Sequence, residues 1–266
     1  MSRLREKDAR QRQESNRSPD FSEALARGLK VIGAFSSERP QLTMSDIARA
    51  VDLPRATARR AIYTLTELGY LASEGRLFRL TPKVLELASF YLKSNPVTTL
   101  LQPVCDRISR TLEEACSVAV LDNTEVVMIA HTSPLRFIAV APGVGYRLPA
   151  FCTSLGRVLL AGLPDRELNN FLARLEPRAP TPYTVTDKDV LRQRIEAVRE
   201  QGYAIVTQEA ETGFRSIAVP IRRHDGAVIA AINVGGRIET VTEQEMLDGH
   251  LELLRRETGQ LQNRLL

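Results

Sequence analysis

Residues 42–80 narrow the possible folds more than any other stretch, because two helical periodicities meet there across a three-residue break. Thr43–Val51 sets Met44, Ile47, Ala48 and Val51 at helical spacing. Arg55–Leu68 does the same with Ala58, Ala61, Ile62, Leu65 and Leu68, leaving only Asp52-Leu53-Pro54 between. Thr43 is suited to cap the first helix, and Asp46 puts a carboxylate near the positive end of its dipole. Pro54 suits the start of the second, where its missing N–H would be unpaired anyway. Small Ala48 and Ala58 permit a close crossing. Beyond Leu68, Tyr70–Ser73 and Arg76–Leu80 read as a hairpin turning at Glu74-Gly75. Two short helices across a tight turn, followed by a hairpin, predict a winged helix-turn-helix.

The polar face of the second helix carries Arg55, Thr57, Arg59, Arg60, Tyr63 and Thr64. On a recognition helix such side chains reach base edges and flanking phosphates. Thr43 and Ser45 at the first helix start and Arg76 on the wing complete the candidate contacts, and the expected partner is double-stranded DNA. An ordinary helical hairpin with a solvated basic face is the plainer alternative. The charge distribution favours a reader of DNA. Residues 1–94 hold 17 Lys/Arg against 11 Asp/Glu, a net of +6; residues 95–266 hold 19 against 21, a net of −2. A basic third on a slightly acidic remainder is the footprint of a localised polyanion site. Residues 1–20 are basic and nearly devoid of apolar side chains, so they read as a disordered tail, either solvated or in contact with phosphates.

At 266 residues and 43% hydrophobic content the chain can fill two cores. No apolar run approaches the roughly 20 residues that cross a bilayer, and the charged N-terminus lacks a signal-peptide core. Cys105, Cys116 and Cys152 are odd in number and without CxxC spacing or nearby His, which predicts neither a disulfide scaffold nor a zinc site. A cytoplasmic protein without membrane contact is expected.

Phe21–Ser36 forms an amphipathic first helix with Leu25, Leu29, Ile32 and Phe35 as its core stripe. Lys83–Ser94 is apolar around most of its circumference and must be covered by something. Asn95-Pro96 then breaks the pattern. The expected domains are therefore a winged helix-turn-helix over residues 21–82, a connecting and dimerising helix over 83–95, and a second domain over 96–266. The last combines a helix near Val97–Glu114, irregular about Pro103, with strands at Ser117–Leu121, Glu125–His131 and Phe137–Val140, the first two turning at Asp122-Asn123. Helices follow at Ser154–Ala161, Asp165–Leu175 and Asp187–Glu200, then strands at Tyr203–Val206, Ser216–Ile221 and Val228–Val234, and a closing helix Thr242–Arg264. This is an α+β pattern with a largely antiparallel sheet.

Gly145–Pro149, Cys152–Gly162, Gly202–Glu209, Gly213–Pro220 and Gly226–Val234, behind the helix-turn-helix and wing, resemble the IclR family of bacterial transcriptional regulators over residues 21–266. Leu25–Ile32, Arg55–Arg60 and Leu80–Leu85 are most similar to the subgroup that controls protocatechuate, p-hydroxybenzoate and β-ketoadipate catabolism. The resemblance implies a GAF-like effector domain, a homodimer or dimer of dimers, a partially palindromic operator, and a small organic acid as signal. No cofactor is expected. Activator or repressor is not legible.

Phe151-Cys-Thr-Ser154 leads straight into a helix, so the backbone N–H groups of Ser154, Leu155 and Gly156 can present a positive dipole end to a carboxylate, with Thr153 beside them. Simple capping is the alternative for Thr153 and Ser154. The family's pocket positions fall on Val206 or Thr207, Ser216, Asn233 and Gly235. Relatives that bind small acids often carry an acidic residue where this chain has Val206, which implies a different or larger ligand. Arg136, Tyr146 and Arg147 flank the region and could pair with a carboxylate or cover a ring, although a solvated strand edge explains either arginine equally well. Cys152, His131 and Glu209 can be posed as nucleophile, base and orienting acid. Nothing in their spacing requires it, and no Gly-rich phosphate loop, HExxH or GxSxG motif is present, so an enzyme is not expected. A scaffold whose second domain only oligomerises is the remaining alternative.

Overall fold

The computed structural model describes residues 18, 20–36, 38–94, 96–134 and 143–262. Arg136, the expected strand Phe137–Val140 and nearly all of the N-terminal tail lie outside the described residues. Two compact units divide the chain, Met1–Tyr91 and Leu92–Leu266.

In the first unit α1 is Glu23–Ile32, with the Ser22 side chain accepting from the Leu25 N–H at its start. Val31 is buried, with Ala34 just beyond; of the expected stripe Ile32 and Phe35 pack partly buried against this core, whereas Leu25 and Leu29 are 65% and 56% exposed. The segment is apolar on two sides, and α1 turns the side with the smaller residues toward α3. Strand β1 (Leu42–Thr43) leads into α2 (Met44–Ala50), and α3 spans Arg55–Glu67. Ile47, Ala48, Ala58, Ile62 and Leu65 bury between them, while Leu68 stays exposed. Gly69 at φ +78 lets the chain reverse so that the Tyr70 N–H reaches the Leu65 carbonyl at 2.8 Å. The wing is β2 (Leu71–Glu74) and β3 (Leu77–Leu80). It has a third strand, since β1 pairs with β3 through Leu42↔Phe78 and Thr43↔Leu77, giving the order β1-β3-β2. Helix α4, Val84–Ser94, contains no buried residue; Leu85 is 69% and Phe90 62% exposed.

The second unit is one antiparallel sheet between two helical layers. Helix α5 (Pro96–Leu112) runs through Pro103 without ending. Strands β4 (Ala115–Asp122) and β5 (Glu125–Thr132) meet at Asn123, whose φ of +56 makes the turn, one residue later than the sequence suggests. Strand β6 (Arg147–Pro149) was not expected, and a 3-10 turn, Ala150–Cys152, carries it into α6 (Ser154–Ala161). Then come α7 (Asp165–Arg174), α8 (Lys188–Gln201), β7 (Ala204–Thr207), β8 (Phe214–Arg222) and β9 (Val228–Arg237). The closing helix α9 starts at Glu243–Glu245, passes a π-helical turn at Met246–His250 and continues as Leu251–Gln262. The sheet order is β6-β5-β4-β9-β8-β7.

Strand alternation sorts the core into two layers. Cys116, Val118, Ile217, Val219, Ile232 and Val234 point toward α5 and α9. Ala119, Ala218 and Ala231, the neighbours of opposite parity, pack with α6, α7 and α8. The small residues on that second face let α6 approach closely: a Cβ on Gly156 would fall 2.0 Å from the Ala150 carbonyl oxygen. No helix among the described residues is long and apolar enough to cross a membrane.

Candidate DNA-reading surface and effector site

The helix-turn-helix presents Arg55, Arg59, Arg60 and Tyr63 to solvent along α3, with Thr57 half-buried. Tyr63 is 65% exposed. No carboxylate pairs with Arg59, Arg60 or Arg76 among the described residues. Arg55 donates to the Ser45 hydroxyl, tying the two helices across their turn. Thr43 is a cap rather than a free contact: its hydroxyl donates to Asp46 Oδ2 at 2.6 Å and accepts from the Asp46 N–H at 3.2 Å. That bond holds the Asp46 carboxyl below the usual range, by the Thr43 side chain first and its backbone N–H second. Thr64 is exposed, and its hydroxyl donates to the Arg60 carbonyl at 3.0 Å. The candidate side chains that stand exposed are therefore Arg55, Arg59, Arg60, Tyr63, Thr64 and, on the wing, Arg76.

In the second unit, the candidate effector residues divide by face and by partner. Ser216 pairs with Gly235 across β8 and β9 and with Val206 across β7 and β8, so the three share a face. Thr207 pairs with Arg215 and points the other way; its hydroxyl accepts from Arg215 Nε at 2.9 Å. Of the two family alternatives, Val206 shares the Ser216 face and Thr207 does not. Asn233 precedes Gly235 by two residues and joins the same face.

Helix α6 begins over that face. Ser154 is fully buried, and its hydroxyl lies 2.7 Å from that of Ser216. Thr153 caps the helix, its hydroxyl oxygen accepting from the Gly156 N–H at 3.1 Å. The Gly156 amide is thereby occupied, and Gly156 itself serves close packing on Ala150. The amides of Ser154 and Leu155 remain at the positive end of the dipole. Gly235 is also a packing position: a Cβ there would fall 2.5 Å from the Phe214 ring. That ring thus lies against the polar face.

One charged candidate is engaged elsewhere. Arg147, on edge strand β6, donates to Asp122 Oδ2 and Glu125 Oε2, each at 2.7 Å, and its pKa rises through those two contacts. Its charge is answered at the strand edge, where the plainer alternative put it. Tyr146 is 48% exposed in the preceding turn.

Three residues that matter here were not assigned to the site from the sequence. Ser117 on β4 lies opposite both His131 on β5 and Asn233 on β9, so the three form one row across the sheet. Ser117 Oγ and His131 Nδ1 are 2.9 Å apart. Among the described residues, His131 Nε2 and Asn233 Oδ1 are buried and have no hydrogen-bond partner. Burial pulls the His131 pKa down, which keeps the ring neutral at physiological pH. The third is Arg157, buried on α6, which donates to Glu209 Oε2 at 2.7 Å and to the Phe151 carbonyl at 3.2 Å. Burial lowers its pKa and the Glu209 carboxylate opposes that shift. Glu209 also accepts from Arg194 at 2.9 Å and from the Val185 N–H at 3.2 Å.

These pairings dissolve the enzymatic constellation. Glu209 belongs to two arginines, His131 to Ser117, and Cys152 has its thiol pushed up to about 11, by burial first and the Glu209 charge second. A thiol held protonated is a poor nucleophile. Among the described residues, no cluster of His, Cys, Asp or Glu could hold a metal ion.

Comparison with known proteins agrees with this division of labour. Residues 24–75 match the IclR helix-turn-helix domain, and residues 89–263 match the bacterial transcriptional regulator IclR C-terminal domain. The chain is 44% identical over 237 residues to the Pca regulon regulatory protein of Pseudomonas putida, covering 89% of this chain and 81% of that one. Its fold superposes on the crystal structure of a putative transcriptional regulator from Rhodococcus with a TM-score of 0.82 at 41% identity, covering 92% and 98%. An IclR homologue from Microbacterium hydrocarbonoxydans, solved in complex with 4-hydroxybenzoate, superposes with a TM-score of 0.77 at 30% identity, covering 91% and 99%. With an exposed basic helix-turn-helix joined to a sheet domain of this topology, and both halves matched by one family, the chain belongs to the IclR family of bacterial transcriptional regulators.

Proposed function

We propose that this regulator senses a small organic acid, an aromatic acid or its ring-cleavage product, and adjusts transcription of genes for aromatic-compound catabolism in the cytoplasm. The observation that carries the reading is the buried start of α6: Ser154 against Ser216, with the unpaired Asn233 oxygen on the same sheet face. A helix start with polar side chains converging on it accepts a carboxylate without a dedicated cation. The regulator of the Pca regulon and the 4-hydroxybenzoate complex among similar proteins support the choice of acid. The proposed effector residues are Ser154, Leu155, Val206, Ser216 and Asn233, with Thr153 as the cap that orients them.

The operating form is a homodimer, or a dimer of such dimers, on a partially palindromic operator. Phe21 just ahead of α1, Leu25 and Leu29 on α1, and Leu85, Leu87 and Phe90 on α4, are large apolar side chains left exposed in the single chain. A surface of that kind is covered in solution, and two-fold pairing presents two recognition helices to two half-sites. The proposed domains are residues 21–82 for DNA, 83–95 for pairing and 96–266 for the effector.

The test is a melting-temperature and operator-binding series with protocatechuate, 4-hydroxybenzoate and β-ketoadipate. At a hundredfold excess over its dissociation constant the true effector should stabilise the fold by about 2.7 kcal/mol. It should also change operator affinity, which requires different affinities for the two arrangements of the protein. Ser154→Leu should abolish both responses and leave effector-free DNA binding intact. Failure of all three acids to shift the melting temperature would sink the assignment.

A further inference from the structure

We infer that His131, with Ser117 and Asn233, reads a neutral hydroxyl on the effector, so that the ligand is a hydroxylated aromatic monocarboxylate. The inference rests on the acid-binding reading of α6 and adds what lies at the far end of the acid.

The row is built by register. Ser117 pairs with His131 on one side and with Asn233 on the other, so all three side chains leave the same face of the sheet. That is the face over which α6 begins, since Asn233 and Gly235 alternate together and Gly235 lies opposite Ser216. Asn233 is one strand across and two residues along from Ser216. At about 4.8 Å per strand and about 6.8 Å per two residues, their backbones stand roughly 8 Å apart. That spacing is on the scale of a benzene ring with polar groups at opposite ends. The Phe214 ring packs against Gly235, which lies opposite Ser216 and two residues from Asn233, so an aromatic face adjoins both.

The hydrogen-bond inventory then selects the group. His131 is kept neutral by burial, so one ring nitrogen donates and the other accepts. The 2.9 Å contact between Ser117 Oγ and His131 Nδ1 accommodates either tautomer; in the one this reading requires, the Ser117 hydroxyl donates to Nδ1 and the ring proton sits on Nε2. Nε2–H is then a buried donor and Asn233 Oδ1 a buried acceptor, neither with a partner among the described residues. A hydroxyl satisfies both at once, accepting from His131 and donating to Asn233. A second carboxylate cannot, because ionised it has no proton to give and would face the Asn233 oxygen with like charge. Leaving both protein groups unpaired is costly, which is how such a site rejects the analogue without the hydroxyl.

The experiment measures binding of 4-hydroxybenzoate and benzoate to the full-length protein by calorimetry, for the natural chain and for His131→Phe, His131→Gln and Asn233→Leu. The natural chain should bind 4-hydroxybenzoate about tenfold to a hundredfold more tightly than benzoate. His131→Phe and Asn233→Leu should each reduce that preference to within about threefold, with benzoate affinity little changed, and His131→Gln should restore part of it. Equal binding of the two acids by the natural chain overturns the inference, with no variant needed. A loss in His131→Phe that falls equally on both acids overturns it too. Binding of β-ketoadipate but of neither benzoate overturns the hydroxyl reading and leaves the acid-binding α6 standing. If no acid binds at all, the function proposed for the domain fails and this inference fails with it.

Discussion

Arg59, Arg60, Tyr63 and Arg76 stand in solvent on the first unit, whereas Ser154, Ser216, Asn233 and Arg157 of the second are all at least nine-tenths buried. The contrast follows from what each unit is proposed to meet. DNA is a large polyanion that approaches from outside, so its reader keeps guanidiniums hydrated and mobile until contact. A small acid is recognised by removing it from water, so its receptor has polar groups already dry and already placed. The first arrangement costs the fold little. The second places polar groups where each one lacking a partner is destabilising.

The sharpest way to break that comparison is to remove one half of the buried ion pair. Arg157 and Glu209 are 3% and 4% exposed at their side chains, and they join α6 to the segment after β7. Glu209→Leu leaves the Arg157 charge buried, with only the Phe151 carbonyl among the described residues to receive it. The expected cost is about 3–5 kcal/mol of unfolding free energy, read from a denaturant midpoint. The double change Arg157→Met with Glu209→Leu should recover most of that loss, because the penalty comes from the orphaned charge. An additive double mutant would show that packing, and not charge, holds the pair.

How far the sequence reveals each unit follows from the same contrast. An exposed face leaves its periodicity intact, so Arg55, Arg59 and Arg60 could be found between the apolar positions of α3. Strongly periodic or well-capped elements were equally legible: α6 spans Ser154–Ala161 as expected, and Asp187 caps α8. Where a segment was apolar on two sides the buried face could not be chosen, and Leu25 and Leu29 of α1 were placed in a core that they do not enter. The effector face is a product of register. Ser117, His131 and Asn233 are brought into line by pairings of strands far apart in sequence, and no local pattern announces it. The two readings of Arg147 stayed open for the same reason, since its partners Glu125 and Asp122 come to it from β5 and β4. Arg157 did leave a signal. A single arginine in Ser-Leu-Gly-Arg-Val-Leu-Leu-Ala has no solvated face to occupy and so implies a buried acid.

A second probe asks whether the outside of the first unit is all for DNA. Leu85 and Phe90 are among its most exposed large apolar side chains. If they pair two protomers, Leu85→Glu with Phe90→Glu should sediment as a monomer with unaltered helix content. Two linked half-sites bind with an avidity of a hundredfold or more, so operator affinity should fall on the order of a hundredfold. A double mutant that stays dimeric, at normal affinity, would place the interface elsewhere.

The smallest expected effect is the most discriminating, because it separates reading from mere attraction. Arg59 and Arg60 both face solvent on α3, and among the described residues neither has an acidic partner to release. Each can therefore be truncated without penalty to the fold, so Arg59→Ala and Arg60→Ala should shift the denaturant midpoint by less than about 0.5 kcal/mol. On DNA the two outcomes differ in kind. A residue bidentate to a guanine should cost about 1–3 kcal/mol on the operator and relax selectivity at one base pair. A residue on a phosphate should weaken operator and random DNA alike and lower the slope of log affinity against log salt by about one. Measuring both variants on operator and random duplex, at several salt concentrations, assigns each arginine to one kind of contact. If both variants keep full operator affinity, α3 is not the reading helix. If either loses several kcal/mol of stability, the first unit also builds its function into its core, and the contrast between the two units collapses.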